Sequence, residues 1–84
     1  MMIFEKVSDI LSELSGAEAV ALKNRLRDDL TLDSLHMVML LLELEDKFDI
    51  VLDESDMNPF NLVTVEDVVS LVRKYCGDGN EENS

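Results

Sequence analysis

The stretch Leu30-Thr31-Leu32-Asp33-Ser34-Leu35-His36-Met37-Val38-Met39-Leu40-Leu41-Leu42-Glu43-Leu44-Glu45-Asp46-Lys47-Phe48-Asp49 decides how the chain is read. Asp33 or Ser34 supplies an N-cap, and from Ser34 to Phe48 the apolar residues recur at helical spacing. Met37, Leu40, Leu41, Leu44 and Phe48 fall on one side at about 100° per residue, enough to pack against the rest of a bundle. Leu35, Val38 and Leu42 form a second apolar stripe roughly a quarter to a third of a turn away, with Met39 and Asp46 at its outer edge. A helix that is apolar on more than one face is either sunk deep in a protein or built to touch another molecule.

Chain length favours contact. Eighty-four residues make one small domain with no second core and no walls for a deep substrate cleft. Size scaling gives roughly 5,000 Å² of folded surface against about 14,000 Å² for the open chain, too little structure to cover both stripes. Leu35, Val38, Met39 and Leu42 are therefore read as a docking patch rimmed by Glu45 and Asp46. A short helix folding over the stripe, or a homodimer seam, would remove the patch without changing the fold.

On the N-terminal side, Ile3, Val7, Ile10 and Leu14 share a stripe flanked by Phe4 and Leu11, with Gly16 as a helix stop. Ala17 to Leu22 allows a helical turn or two, while Asp28, Asp29, Thr31 and Asp33 argue for a loop. On the C-terminal side, Pro59 forbids a long helix between Asp49 and Asn61 and leaves room for one short turn starting near Asp53 or Ser55. Thr64 and Asp67 resemble a capping box, and Val65, Val68, Val69, Val72 and Cys76 then follow a period near 3.6. Valine prefers strands, but Glu66, Asp67, Ser70, Arg73 and Lys74 fall where a helix exposes them, so periodicity decides. Gly77 is expected to end that helix. The expected fold is all-α, a small four-helix bundle of three main helices plus one short one. It spans a domain at 1–77 followed by a disordered acidic polar tail at 78–84.

Composition narrows the function. The chain is 46% hydrophobic, which excludes wholesale disorder, and its formal net charge is −12. Residues 1–27 balance Glu5, Asp9, Glu13 and Glu18 against Lys6, Lys23, Arg25 and Arg27, so the whole excess lies beyond them. Such a surface repels nucleic acid and anionic bilayers and attracts basic protein patches. No apolar run is long enough to cross a membrane, no secretory leader is expected, and the location expected is cytoplasmic. Cys76 is the only cysteine, so there is neither an internal disulfide nor a cysteine-based metal site. The acidic loop clusters Asp28/Asp29/Asp33 and Asp49/Asp53/Asp56 lack the spacing, central glycine and closing glutamate of a calcium loop. With no catalytic group, phosphate-cradling loop or nucleophile elbow, an enzyme is not expected.

Leu30-Thr31-Leu32-Asp33-Ser34-Leu35, the helix closing on Leu44-Glu45-Asp46-Lys47-Phe48-Asp49, and the opening Thr64-Val65-Glu66-Asp67-Val68-Val69 together resemble the acyl carrier protein family over residues 3–76. The resemblance implies that Ser34 carries 4'-phosphopantetheine, installed from coenzyme A by a phosphopantetheinyl transferase. It also implies that the terminal thiol holds acyl groups as thioesters for partner enzymes with basic docking patches. Asp33, Leu35, His36, Val38, Met39, Leu42, Glu45 and Asp46 are then the docking residues, with Glu43 a weaker addition. Leu40, Leu44, Leu62, Val68 and Val72 are candidate lining for an acyl chain held between the helices, and each is equally readable as ordinary core. The expected state is a monomer.

A helix start suits an attached phosphate, since its free N–H groups and dipole favour negative charge. Without the resemblance, Ser34 reads as a plain N-cap. Four departures mark the chain off from the general fatty-acid carriers. Thr31 and Leu32 stand where a glycine is usual before the Asp-Ser pair, His36 and Met39 stand where acids are common, and a proline is missing near Asp53. They point to a specialised fatty-acid, lipid or polyketide-type pathway. A peptidyl or D-alanyl carrier fits the same motif, and an unmodified helical interaction domain remains the reading from outside the class.

Overall fold

The computed structural model describes residues 3–76. The expectations for Gly77 and for a tail at 78–84 lie outside the described residues. The main elements are α1 (Ile3–Ser15), α2 (Ser34–Phe48) and α3 (Val65–Cys76). Each helix is placed by its apolar stripe. Ile3, Val7, Ile10 and Leu11 of α1, Met37, Leu40, Leu41 and Leu44 of α2, and Val65, Val68, Val69, Leu71 and Val72 of α3 are buried in one aliphatic core. The valine-rich segment is a helix, because only a period of 3.6 buries its valines together while exposing Glu66, Ser70, Arg73 and Lys74.

The ends of the helices are set by local hydrogen bonds. Gly16 closes α1 at φ +79°, its N–H bonded to Ser12 O at 2.8 Å. Open space surrounds the position of a Cβ there, so the requirement for glycine is conformational and not steric. Asp49 closes α2 in the left-handed region at φ 55°, which aspartate tolerates better than most residues, and its N–H reaches Glu45 O. At the start of α3 the capping box is reciprocal. Asp67 N–H donates to Thr64 Oγ1 at 3.3 Å, and Asp67 Oδ2 accepts from Thr64 N–H at 3.1 Å and Val63 N–H at 2.9 Å.

The short third element consists of two single 3₁₀ turns, Glu54–Asp56 and Pro59–Asn61. Asp53 precedes the first but makes no side-chain cap, and Pro59, with no N–H to donate, prevents that turn from continuing as an α-helix into the second. Asp56 instead ties this loop to the end of α3. The Tyr75 hydroxyl donates to Asp56 Oδ2, Lys74 Nζ lies 2.9 Å from the same oxygen, and Asp53 N–H donates to the Tyr75 oxygen at 2.8 Å. The tyrosine hydrogen bond first, and the lysine second, hold the Asp56 carboxyl below its ordinary pKa.

Residues 17–33 contain no helix. Asn24 Oδ1 accepts Ala21 N–H at 2.8 Å and closes a turn where a helical turn was one of the two readings. The loop is stitched to the start of α3 by Leu26 N–H to Val63 O at 2.8 Å, Val65 N–H to Asn24 O at 3.0 Å and Glu66 N–H to Leu22 O at 3.0 Å. These bonds satisfy backbone groups that a short helix would otherwise have paired internally, and they seat Val20, Leu26, Leu30 and Leu32 in the core.

Thr31 lies in the left-handed region at φ 56°. That conformation costs a branched side chain roughly 1–2 kcal/mol, and glycine gives back about 0.5–1 kcal/mol in chain entropy. Thr31→Gly is therefore expected to stabilise the fold by about 0.5–1 kcal/mol and to raise the melting temperature by about 3–5 °C. Thermal melts of the two proteins check this, and an unchanged or lower melting temperature contradicts it.

Candidate functional site

The site is built on the first turn of α2, and the residue that caps the helix is Asp33. Its backbone is extended at φ −94° and ψ −174°, Oδ1 accepts the His36 N–H at 2.9 Å, and its carbonyl accepts Met37 N–H at 3.0 Å. Ser34 is consequently the first helical residue. It is exposed, and among the described residues its hydroxyl has no hydrogen-bond partner. The cap and the serine are thus separate side chains, and the hydroxyl is spare.

The Asp33 carboxyl is held below its ordinary pKa, chiefly by the hydrogen bond from the His36 backbone and, more weakly, by the nearby imidazole. His36 Nδ1 lies 2.9 Å from Asp33 Oδ1 and is shut off from solvent, yet it makes no well-aligned hydrogen bond. The short distance is an electrostatic contact with poor hydrogen-bond angles. It folds the imidazole back beside the cap, leaving His36 half-buried.

Further along α2, the second apolar stripe lies open. Leu35 is 66% exposed and Leu42 53%, and Val38 and Met39 are exposed with them, so neither 3₁₀ turn covers the stripe. Asp33 and Asp46 are exposed at its borders. Glu43 and Glu45 are half-buried, and Glu45 Oε2 accepts Leu52 N–H at 2.9 Å, so one oxygen of that rim residue is engaged in holding the following loop. The patch and its acids share one side of the molecule with the Ser34 hydroxyl at one end.

The five candidate lining residues are divided. Leu40, Leu44, Val68 and Val72 are fully buried in the core, whereas Leu62, 8% exposed, also lines a half-open cavity of about 200 Å³. The other walls of that cavity are Arg25, Arg27, Asp28, Phe60 and Val63. None of these was a candidate from sequence, because the two loops that make them neighbours are joined by hydrogen bonds between residues some forty positions apart. Phe60, exposed in an otherwise polar turn, was the one signal available. Among the described residues no acidic, histidine or cysteine cluster could hold a metal ion, and no helix is long and apolar enough to cross a membrane.

Comparison with known proteins agrees with this arrangement. A family profile described as phosphopantetheine attachment site matches residues 5–72. The chain is 36% identical over 76 residues to an acyl carrier protein of Campylobacter concisus, covering 88% of this chain and 96% of that one. It is 38% identical over 77 residues to an acyl carrier protein of Thermotoga maritima, covering 89% and 93%. A crystal structure of an acyl carrier protein from Thermotoga maritima superposes with a TM-score of 0.73 at 24% identity, covering 90% and 88% of the two chains, which establishes the shared fold.

The cap makes the first turn sensitive to acid. A carboxylate whose folded pKa is depressed stabilises above its unfolded pKa, about 3.9, and the contribution is lost as pH falls through the folded value. The His36 amide is therefore expected to keep its position and exchange protection through the ordinary carboxylate range and to lose both only at more acid pH, as Asp33 protonates, read by amide spectra across an acid titration. An amide unchanged by acid while the remainder of the fold persists contradicts the assignment of Asp33 as the cap.

Proposed function

The chain belongs to the acyl carrier protein family, a non-catalytic family, and bears its phosphopantetheine attachment site; from that premise we propose that Ser34 is the attachment residue and that the open face of α2 is the docking surface. One observation carries the reading: Ser34 is exposed, and among the described residues its hydroxyl has no hydrogen-bond partner, at a helix start that its neighbour caps. Phosphopantetheine supplies a thiol at the end of a flexible arm, on which acyl groups are carried as thioesters.

The residues fit the group. Ser34 Oγ would act as the nucleophile, forming an oxygen–phosphorus bond to the pantetheine-bearing phosphorus of coenzyme A as the pyrophosphate P–O bond breaks and 3',5'-ADP leaves, with the serine proton passing to a base on the transferase. The start of α2 would favour the negative charge of the phosphodiester so formed. Asp33, turned back onto the His36 N–H, does not compete for the serine oxygen.

Family membership places phosphopantetheinyl transferases and acyl-handling enzymes among the partners. Docking through Leu35, Val38, Met39 and Leu42 buries a small apolar patch, while Asp33, Glu45 and Asp46 border it with negative charge; a partner with Lys and Arg around an apolar pocket is the complement. Small interfaces with charged rims associate fast and release fast, which is what a carrier that visits several enzymes requires. His36 and Met39 replace two attractive charges with a half-buried imidazole and an exposed thioether, favouring a partner with a more apolar footprint than a general elongation enzyme has. That supports service in a dedicated fatty-acid, lipid or polyketide-type pathway.

Incubation with coenzyme A, magnesium and a transferase is expected to add the mass of one phosphopantetheine to the intact protein and none to Ser34→Ala; no gain in the parent protein supports an unmodified interaction domain instead. The loaded carrier is then expected to be a poor substrate for housekeeping elongation enzymes in transfer assays, with His36→Asp and Met39→Glu together raising kcat/KM at least several-fold. Normal service by those enzymes contradicts a specialised role.

A further inference from the structure

The cavity between the two loops answers a difficulty that the core creates. Leu40, Leu44, Val68 and Val72 offer a purely aliphatic interior, so an acyl chain ending in a carboxylate could enter only by burying an unpaired charge, which is prohibitive. The cavity offers such an end both of the things it needs. Phe60 and Val63, both exposed, and Leu62 beneath them give apolar contact for methylene groups, and Arg25 and Arg27 give guanidinium donors.

In a chain of net charge −12 the walls of this cavity bring two arginines together with a single carboxylate, Asp28, while the neighbouring Asp29 and Asp67 are engaged by the backbone N–H groups of Arg25 and Val63. Arg25 Nη1 stands 3.6 Å from Asp28 Oδ2, a long and solvent-screened pair, so Asp28 engages Arg25 only loosely. The Arg27 guanidinium rests 5.2 Å from the centre of the Phe60 ring, and among the described residues no carboxylate pairs with it. At about 200 Å³ the space takes the end of a short chain and not a drug-sized ligand.

The cavity is also within reach of the arm. Leu32, two residues before Ser34, bonds through its N–H to Leu26 O, and Leu26 N–H bonds to Val63 O. With about 5.5 Å across each bonded pair and 3.8 Å per residue step, Ser34 and Val63 lie within about 20 Å of one another along the backbone path. A phosphopantetheine arm with an acyl chain on its thiol covers that distance.

We infer that the cleft of Arg25, Arg27, Phe60, Leu62 and Val63 is a seat for the far end of a carboxylate-terminated acyl group carried on Ser34. The inference rests on Ser34 being the attachment residue. The seat shields the cargo between enzymes and selects dicarboxylic half-thioesters over plain chains, since the guanidinium–carboxylate pair is formed by the first alone.

The test loads the carrier with adipyl and, separately, hexanoyl groups, matched in chain length, and confirms each loading by intact mass before amide and arginine side-chain spectra are recorded. The adipyl form is expected to shift the resonances of Arg25, Arg27, Phe60 and Val63 and to show proximity between its methylenes and the Phe60 ring. The hexanoyl form is expected to leave those resonances as they are in the arm-only protein. Arg27→Gln, at an exposed position, is expected to abolish the adipyl shifts while its arm-only spectrum stays that of a folded protein, and raised salt is expected to reduce them. Equal shifts with both cargoes, no shifts with adipyl, or adipyl shifts that survive in Arg27→Gln overturn the inference while leaving Ser34 as the anchor. Absence of the arm's mass overturns both.

Discussion

The hydrogen bond from the His36 N–H to the Asp33 carboxylate is the constraint on which the functional end of the molecule depends. A helix start leaves several N–H groups without partners, and some side chain or ligand must answer them. Because Asp33 does so, α2 begins at Ser34 with the serine hydroxyl outside the network that holds the helix. Were the serine itself the cap, attachment of any group to its oxygen would remove the bond that starts the helix. The Asp-Ser order separates the two tasks, so a group attached at Ser34, as proposed, would add charge at the dipole's positive end without dismantling anything.

The same economy governs the remainder of α2. Met37, Leu40, Leu41 and Leu44 close the core and leave Leu35, Val38, Met39 and Leu42 facing water. Among the described residues no further helix covers the second stripe, and the chain between α2 and α3 is spent on two single turns, the first of them held to α3 by Asp56 and Tyr75. The exposed stripe is thus a cost in solubility that the flanking acids offset. Loop segments, by contrast, are held by backbone bonds between distant residues, and it is there that the arginine-bearing cavity forms.

Much of this was legible in the residues. The three stripes, Gly16 as a stop, the Thr64/Asp67 box and the helical reading of the valine-rich segment all rest on neighbours within one or two turns, where spacing alone settles contact. Even the open face of α2 could be argued from counting how much structure was left to cover it. Ser34 was different, since by spacing alone it reads as a cap, and only the resemblance marked its hydroxyl for modification. Three features were not legible. The stitching of residues 22–26 to residues 63–66, the Asp56–Tyr75 tie and the cavity walls all join residues far apart in sequence, and nothing local announces them. Thr31 is the instructive intermediate. The missing glycine was visible as a departure from the family, but that the backbone nonetheless keeps the left-handed conformation, with a branched residue bearing it, is a structural fact.

Whether the cap and the proposed anchor are different side chains is measured most directly by the stability of Ser34→Ala set beside that of Asp33→Ala. Denaturant unfolding of the unloaded proteins is predicted to leave Ser34→Ala within about 0.5 kcal/mol of the parent, as for a surface change away from any cap, with Asp33→Ala clearly less stable. A Ser34→Ala protein weakened by about 1 kcal/mol or more, the usual loss for a removed cap, with Asp33→Ala unchanged, would show that the serine hydroxyl starts the helix and contradict the account.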